Sequence, residues 1–316
     1  MTKDFPQIAW DRQLESDWQD ILRLAIREDL GACGDWTSNA LVPAETPGRA
    51  AVVARRPGVL AGLAAVPTLL EHFDAALRWA ADLEDGQPLA GGRRIATLAG
   101  PARAVLGVER LLLNLLGHLS GIATLTRQYV ETVAGTKARI YDTRKTTPGW
   151  RRLEKYAVRC GGGWNHRLGL GDAILIKDNH LAFGAQRGPH AQGYSPAEAV
   201  KLARRFLQQH VAAESPGYMI VEIEVDTLEQ LDLALTADPD LVLLDNMGPE
   251  RLRQAVARRD ARNPGVELEA SGGIDLESIR AIAEAGVERI SVGALTHSAV
   301  SLDIGLDWLE GEGIRD

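Results

Sequence analysis

Cysteine, excess basic charge and long apolar runs are all scarce in this 316-residue sequence. Its two cysteines, Cys33 and Cys160, lack metal-ligand spacing and are too few for a disulfide framework. We therefore expect buried or inert thiols in a reducing compartment. Lysine and arginine number 35 against 43 aspartate and glutamate residues, for a formal charge of -8. This acidic balance argues against nonspecific nucleic-acid binding, which needs a basic surface.

Membrane segments are not expected either. No uninterrupted apolar run reaches the roughly 18 to 20 residues of a membrane helix, and the first residues contain no apolar core of a secretory signal. We expect a cytoplasmic protein that does not enter a membrane. Hydrophobic residues make up 45% of the chain and charged residues 25%, which are the proportions of an ordinary packed protein. The length suits two domains.

The first third of the chain has the pattern of a small mixed domain. Residues 49–104 place short β-like runs between glycine and proline turns, around one helical run, VPTLLEHF. This predicts an α+β domain. Residues 105–133 then carry a long helical pattern of leucines, which Gly117 and Gly121 are expected to interrupt. We interpret this helical region as the link to a second domain.

From about residue 137 onward, the sequence pattern changes to a repeated order of strand, loop and helix. Six apolar runs of strand length follow one another: ARIYDT, AILIKD, MIVEIEV, LVLLDN, VELEA and RISVG. Repeated strand-helix units with such strands predict a parallel sheet. Because a complete barrel has about eight strands, the predicted fold class is α/β, an open or incomplete β/α barrel with an N-terminal α+β (α/β sandwich) domain. The expected domains are residues 1–120, joined by the tail 300–316, and residues 121–299.

Ionisable residues mark the ends of four consecutive predicted strands, where β/α barrels carry their reactive groups. These residues are Asp142 to Lys145, Lys177 to His180, Glu222 with Glu224 and Asp226, and Asp245 with Asn246. A charge at one strand end often only caps a helix or faces water, but four strands in succession indicate a charged site. Strand alternation puts the three acids of VEIEVD on one face, so arginine or lysine partners, or Mg²⁺, are implied.

Glycine turns follow the last two predicted strands. The fifth strand ends in ASGGI and is expected to open straight into the helix DLESIRAIAEAG, while the sixth ends in SVGAL. Glycine lets a backbone approach a phosphate closely, and amides at a helix N-terminus point at the anion. One such turn is weak evidence, but two in adjacent strand-helix units predict a phosphate site in the position where barrels often have one.

A cationic stretch lies between the first two strands. Its helical part is expected to be solvated surface and carries Arg151, Arg152, Lys155 and Arg159. His166 and Arg167 follow three glycines that can fold the chain closely over a ligand, so we select this pair as candidate site residues. The remaining histidines are interpreted as structural, namely His72, His118, His190, His210 and His297. The segment 186–195 is predicted to be an exposed loop, without an assigned function.

The stretch TRKTTPGWRRLEKYAVRCGGGWNHRLGLGDAILIKDNH resembles the signature region of the quinolinate phosphoribosyltransferase family, the carboxylating nicotinate-nucleotide pyrophosphorylases. The likeness continues through VEIEVDTLEQLDLAL, LVLLDNM, ELEASGGI and ISVGALTHS, and back to EDLGACGDWTS and VERLLLNLLGHLSGIAT. It implies that quinolinate and phosphoribosyl pyrophosphate are joined with Mg²⁺ and without an organic cofactor. Nicotinate mononucleotide, pyrophosphate and CO₂ are the implied products. A homodimer with shared active sites, or a higher oligomer, is also implied.

The resemblance also assigns residues to the two substrates. The implied quinolinate site consists of Arg144, His166, Arg167 and Lys177 with Thr143, completed by Arg110 from the partner subunit. The implied catalytic residues are Lys145, Lys177, Glu224 and Asp245, and the two acids would act on ribose hydroxyls or on Mg²⁺, directly or through water. Together with Lys145, Glu224 and Asp245, the phosphoribosyl pyrophosphate site would use Ser271, Gly272, Gly273, Val292, Gly293 and Ala294.

Two other functions are compatible with a barrel of this kind. One is a paralogous phosphoribosyl- or ribosyl-transfer enzyme of the molybdenum-transport-associated type. The other is a catalytically silent barrel that binds phosphorylated metabolites. The joint presence of Arg110, Arg144, His166, Arg167 and Lys177 favours quinolinate over the first alternative. The strand acids Glu224 and Asp245, which would face the ribose, argue against the catalytically silent barrel.

Overall fold

The computed structural model describes residues 4–184, 193–210 and 219–309, and the chain divides into two compact units. The parallel unit comprises Met1–Gln7, Gln128–Arg144 and Trp164–Ala294. The antiparallel unit comprises Ile8–Arg127, Lys145–Gly163 and Leu295–Asp316. Most of the predicted loop 186–195 and the end of the predicted tail lie outside the described residues.

Helices and strands are numbered here in chain order. The helices are α1 (Arg12–Leu30), α2 (Trp36–Leu41), α3 (Val66–Phe73), α4 (Ala102–Thr132), α5 (Arg151–Cys160), α6 (Asp178–Gly184), α7 (Pro196–His210), α8 (Leu228–Leu235), α9 (Pro249–Arg262), α10 (Ile279–Glu284) and α11 (Ala294–His297). The strands are β1 (Pro47–Ala54), β2 (Gly58–Val59), β3 (Arg78–Ala81), β4 (Pro88–Leu89), β5 (Arg94–Pro101), β6 (Arg139–Tyr141), β7 (Ile174–Ile176), β8 (Val221–Val225), β9 (Leu241–Asp245), β10 (Glu267–Ser271), β11 (Arg289–Ser291) and β12 (Ile304–Trp308).

The parallel unit is built on one six-stranded sheet with the order β6-β11-β10-β9-β8-β7. Each of the six predicted strands is present, and every pairing is parallel. The first two strands in the chain, β6 and β7, lie at opposite edges and do not pair with each other within the described residues. The α/β fold with an open β/α barrel is therefore confirmed. One isolated bridge, from Tyr141 to Trp164, extends the β6 edge.

Local sequence explains why these elements form. The strands are short apolar runs buried on both faces, as expected when helices cover a parallel sheet. Helix α8 begins at a capping box, in which the Thr227 hydroxyl accepts the Gln230 amide hydrogen and the Gln230 side chain returns to the Thr227 backbone. Its apolar residues then recur at helical spacing, and Leu228, Leu231 and Leu235 are buried.

The antiparallel unit contains a four-stranded sheet with the order β12-β1-β5-β3. Strand β1 pairs with β5 on one side and with β12 on the other, so the end of the described chain completes the sheet. Helix α1 begins at Arg12, because the Asp11 carboxylate accepts a hydrogen bond from the Leu14 amide and caps the helix. Neither Cys33 nor Cys160 forms a disulfide. Burial raises the pKa of Cys160 to about 12, which keeps its thiol protonated.

Helix α4 runs without a break, so the predicted interruptions at Gly117 and Gly121 are wrong. A Cβ added at Gly117 would lie 3.0 Å from the Leu302 carbonyl oxygen, and one at Gly121 would lie 2.2 Å from the Val300 carbonyl oxygen. The two glycines therefore let the segment 300–302 cross the helix at backbone contact distance. By length and composition α4 could span a membrane, but 61% of that stretch is buried, as in the core helix of a globular protein.

The close crossing at α4 generates a stability prediction. Gly121→Ala should lower the free energy of unfolding by about 3 kcal/mol, because backbone at Val300 has to move to admit a methyl group. Gly91→Ala is the matched control, since a Cβ there would meet its nearest atom, the Arg55 carbonyl oxygen, at an ordinary 3.4 Å. Chemical denaturation of both variants measures the difference. Equal stability of the two would contradict the tight crossing.

Candidate active site

Strand register gathers acidic side chains on one face of the parallel sheet. Paired residues of a parallel sheet point to the same side. Glu222 and Glu224 of β8 pair with Leu241 and Leu243 of β9, and Leu243 pairs in turn with Glu269 of β10. The three carboxylates therefore share a face. Glu222 and Glu269 are fully buried there, whereas Glu224 is only partly buried.

Lys177 and Asp245 lie nearer the carboxyl ends of the strands. Lys177 follows β7, and its ammonium group donates a hydrogen bond to the carboxylate of Glu224, with which it forms an ion pair. Asp245 ends β9, and its carboxylate accepts a hydrogen bond of 2.7 Å from the Asn246 side-chain amide. Both were predicted as site residues from the sequence, and both lie at strand ends.

Two guanidinium groups interact beside these acids. Arg167 is buried, and its Nη1 donates to the carbonyl oxygen of Ala173 at 3.2 Å. Burial lowers the pKa of Arg167, the like charge of Arg144 lowers it further, and Glu222 opposes both effects. Arg144 comes three residues after β6, and Thr143 next to it is partly buried. Two arginines close enough to repel each other suit an anion with two negative groups.

His166 lies beneath Arg167 with both ring nitrogens turned to protein groups. Nδ1 accepts a hydrogen bond of 2.8 Å from the Arg167 amide, and Nε2 lies 3.2 Å from Glu222 Oε2 and 3.5 Å from Glu269 Oε1.

The Asp142 carboxylate supports the backbone before Arg167. It accepts a hydrogen bond from the His166 amide at 2.8 Å and from the Asn165 side chain at 2.7 Å. Asp142 was noted only as part of the first charged strand end, and Asn165 was not a candidate from the sequence. They fix the chain immediately before Arg167.

The cluster of His166, Glu222 and Glu269 has the spacing of a metal site, because one ligand atom from each lies within 4.8 Å of the others. The hydrogen bond at Nδ1 argues against a metal. A neutral imidazole that accepts at Nδ1 carries its proton on Nε2, so the nitrogen facing the carboxylates is a donor. The Nε2–H group of His166 therefore faces the two buried carboxylates in an electrostatic contact and has no lone pair to offer a metal.

Glu269 is the group with the most perturbed acidity in this cluster. Burial raises the pKa of Glu269 to about 7, the negative charge of Glu222 adds to the rise, and His166 and Arg289 oppose it. Glu269 thus takes up a proton near neutral pH, as expected when two acids, here Glu222 and Glu269, share a buried position.

The glycine turn after β10 is tightly packed. Gly272 and Gly273 have φ angles of 95° and 62°, which L side chains rarely adopt. A Cβ at Gly272 would lie 2.3 Å from Asn246 Oδ1, and the Asn246 amide donates to the Ser271 carbonyl oxygen at 2.9 Å. The expectation that this turn opens straight into a helix is wrong, because α10 begins only at Ile279.

The turn after β11 leads directly into a helix. The Val292 amide donates to the Tyr141 carbonyl oxygen at 2.9 Å, which ties β11 to β6 at their carboxyl ends. Gly293 and Ala294 follow, and α11 starts at Ala294. The six residues predicted for phosphate binding therefore lie at the ends of two adjacent strands, β10 and β11.

Lys145 and Arg110 belong to the antiparallel unit, and both are exposed. The segment after Lys145 is held residue by residue. Thr296 Oγ1 donates to the Lys145 carbonyl oxygen at 2.7 Å, Arg151 Nε donates to Thr146 Oγ1 at 3.0 Å, and the Thr147 amide donates to a Glu154 carboxylate oxygen at 3.1 Å. The backbone that carries Lys145 is thereby fixed.

Helix α5 differs from its predicted role as a solvated face. Lys155 and Glu154 are fully buried, so the prediction of a surface position is wrong for Lys155. The Glu154 carboxylate also lies 3.0 Å from His118 Nε2. The sequence assigned His118 only a general structural role and Glu154 none, because no local pattern marks a buried contact between α4 and α5.

Comparison with known proteins identifies the family. A model of the C-terminal domain of quinolinate phosphoribosyl transferase matches residues 122–307, and a model of its N-terminal domain matches residues 35–120. The chain belongs to the quinolinate phosphoribosyltransferase family.

Individual relatives agree with this assignment. A nicotinate-nucleotide pyrophosphorylase [carboxylating] from Mycobacterium leprae is 48% identical over 92% of this chain and 96% of its own. A probable enzyme of the same name from Bacillus subtilis is 44% identical over 92% and 93%. The solved structure of the nicotinate-nucleotide pyrophosphorylase from Francisella tularensis has a TM-score of 0.84 and 35% identity, and the match covers 97% of this chain and 100% of that one. These family relatives are pentosyltransferases of NAD biosynthesis.

The acidity of Glu269 generates a pH prediction. Its ordinary pKa of 4.5 is raised to about 7 in the fold, so the folded protein binds this proton more tightly than the unfolded chain. The contribution of this proton to the stability of the fold is complete below pH 4.5 and is lost as the pH rises through 7. The glutamine in Glu269→Gln cannot ionise. The free energy of unfolding of this variant, relative to that of the natural protein, should therefore rise by about 3 kcal/mol between pH 4.5 and pH 8.

Thermal unfolding at several pH values measures this gain. Glu250→Gln is the control, since Glu250 is an exposed acid paired with Arg253 on α9. A difference between Glu269→Gln and the natural protein that stays constant with pH would show that Glu269 titrates as an ordinary carboxyl.

Proposed function

We propose that this chain transfers the phosphoribosyl group of phosphoribosyl pyrophosphate to quinolinate, releasing pyrophosphate and CO₂ and forming nicotinate mononucleotide in the de novo synthesis of NAD. The observation that carries the proposal is the pair of interacting guanidiniums, Arg144 and Arg167, beside a row of strand-end carboxylates. Membership of the family agrees with this arrangement.

Quinolinate brings two adjacent carboxylates to the site, and two planar guanidiniums can bind them bidentately. Arg144 and Arg167 take this role in the proposal, with Thr143 after β6 and Lys177 after β7. His166 acts by holding Arg167, because its Nδ1 accepts the Arg167 amide hydrogen. A ligand carboxylate between the two guanidiniums would remove the repulsion that lowers the pKa of Arg167. Nicotinate, with one carboxylate, would remove less of it.

The phosphoribosyl side of the site is proposed to use the two glycine turns. Backbone amides of Ser271 to Gly273 and of Val292 to Ala294 would bind the 5′-phosphate, because neither turn has a bulky side chain at its glycines. Lys145 would contact the pyrophosphate. Glu224 and Asp245 would accept hydrogen bonds from the ribose hydroxyls.

The residues present also fit a magnesium ion. Glu224 and Asp245 offer carboxylate oxygens from adjacent strands, and Mg²⁺ prefers such hard oxygen ligands, often through water. When bound with the substrate, the ion would neutralise charge on the pyrophosphate. Lys177 pairs with Glu224 and adds a positive charge on the substrate side of these acids. No organic cofactor enters the proposal.

The chemistry then follows from charge placement. The pyridine nitrogen lone pair forms a bond to the ribose anomeric carbon, and the electrons of the broken carbon–oxygen bond leave with pyrophosphate. Glu224 and Asp245 would stabilise positive charge on the ribose in the transition state. When CO₂ departs, the electron pair of the broken carbon–carbon bond stays on the ring carbon, where the adjacent positive nitrogen stabilises it, and a proton then binds to that carbon. Lys145 and Lys177 are the proposed neighbours of these charges.

Assembly and location are part of the same proposal. We infer a cytoplasmic homodimer, or a higher oligomer, in which Arg110 of one subunit completes the quinolinate site of its partner. Arg110 is exposed on α4, as a residue that reaches into another subunit has to be before assembly.

The first functional test separates binding of the two substrates. Purified protein given quinolinate, phosphoribosyl pyrophosphate and Mg²⁺ should form nicotinate mononucleotide and CO₂. Arg167→Ala should raise the KM for quinolinate by about 100-fold, as expected for the loss of a buried charged partner, and the KM for the other substrate by less than about threefold. Arg253→Ala, at an exposed position of α9, is the matched control.

Three outcomes would contradict the proposal in different ways. Equal use of nicotinate would remove quinolinate as the substrate. Binding of phosphoribosyl pyrophosphate without turnover would favour a silent barrel, and turnover only with another acceptor would favour the paralogous transfer enzyme. An equal rise of both KM values in Arg167→Ala would move this arginine to the phosphate side.

A mixed dimer tests the proposed sharing of Arg110. At quinolinate concentrations well below the KM of these variants, Arg110→Ala and Arg167→Ala should each be nearly inactive alone. A random mixture of the two chains yields mixed dimers in about half of the molecules, and each has one intact site, so about a quarter of the natural activity should return. Arg110 acting within its own subunit predicts no recovery, because every site would then lack one arginine.

A further inference from the structure

The segment Asp4–Gln7 belongs to the parallel unit although more than a hundred residues separate it from the rest of that unit. Phe5 is buried, with 3% of its surface exposed, and its ring stacks on the His166 ring at a centroid distance of 4.3 Å and an angle of 28°. Phe5 also packs with Tyr141 and other buried apolar residues of the sheet. The face of the His166 ring is therefore covered by a residue from the N-terminal segment.

Asp4 fixes this segment to the base of the sheet. Its carboxylate accepts hydrogen bonds from Arg139 Nη1 at 2.9 Å and from the Tyr141 hydroxyl at 3.0 Å. Arg289, which is fully buried, contacts the same carboxylate at 3.4 Å. The negative charge of Asp4 adds to that of Glu267 in balancing the two cations Arg139 and Arg289.

Gln7 connects the segment to the residues just before Arg167. Its Nε2 donates to the Asn165 carbonyl oxygen at 3.1 Å, and its Oε1 accepts from the Asn165 amide at 2.8 Å. The same Nε2 donates to the Phe5 carbonyl oxygen at 2.8 Å. One side chain thus holds both backbone groups of Asn165, as a paired strand would.

We propose that Asp4–Gln7 is a positioning element of the quinolinate site, in which Phe5 sets the plane of the His166 ring and Gln7 sets the backbone that carries Arg167. The His166 ring can accept the Arg167 amide at Nδ1 and face Glu222 and Glu269 at Nε2 only in one orientation. Phe5 stacking and the Gln7 bridge select that orientation. Neither residue touches the substrate in this proposal, which rests on the proposed function.

The positioning role predicts a selective effect on one substrate. Gln7→Ala should raise the KM for quinolinate by about fivefold, the loss expected from removing one hydrogen-bonded partner, while the KM for phosphoribosyl pyrophosphate changes by less than about twofold. Phe5→Leu keeps most of the buried volume but lacks a flat face, and it should act in the same direction. Hydrogen exchange at the Asn165 amide should accelerate in Gln7→Ala, because its acceptor is gone.

A control variant separates positioning from general loss of stability. Leu252→Ala removes a fully buried side chain from α9 in the same unit, so it should lower the melting temperature without a selective change in either KM. The natural protein must turn over quinolinate for the test to apply, and an inactive natural protein would overturn the proposed function instead. With an active natural protein, an unchanged quinolinate KM in both Gln7→Ala and Phe5→Leu would overturn the positioning role. Equal rises of both KM values, matched by Leu252→Ala, would also overturn it.

Discussion

Glu222 and Glu269 place two carboxylates inside the parallel sheet, and the rest of the site depends on how that charge is balanced. His166 presents Nε2 to both, and Glu269 holds its proton to near neutral pH. The electrostatic attraction of Glu222 also offsets part of the cost of burying Arg167 close to Arg144. A pair of like-charged guanidiniums can therefore persist before any anion binds. The buried carboxylates thus stabilise the arginines of the cationic site.

The same balance organises the sheet from its base to its carboxyl end. Arg139 and Arg289 form a cationic level at the base, with Asp4 and Glu267 as their counter-charges. The buried acids Glu222 and Glu269 form the next level, and Arg144, Arg167 and Lys177 form the last. Each level is stabilised by the opposite charge of the one beside it, so a single neutral substitution in the interior affects more than its own contacts.

Sequence alone predicts the frame of this arrangement and part of the site. Val/Ile/Leu runs of strand length predict all six parallel strands, and the two-residue alternation of VEIEVD predicts that Glu222 and Glu224 share a face, whereas Asp226 lies beyond the end of β8. The roles of Asp4, Phe5 and Gln7 could not be predicted, because their contacts lie more than a hundred residues away. Gly117 and Gly121 were misread because a glycine in a helix has the same sequence signal whether it breaks the helix or admits a neighbouring backbone. The start of α10 was placed too early, since turn residues 275–278 are also compatible with a helix.

The pairing of β12 with β1 has a consequence for the order of folding. During synthesis, β1 emerges with only its β5 side able to pair, and some 250 residues have to follow before Ile304–Trp308 is available to cover the other edge. The crossing of segment 300–302 over Gly117 and Gly121 waits for the same late residues. A ribosome-bound chain thus holds an uncovered strand edge and an unfilled helix groove for most of its synthesis, and both are features that chaperones bind.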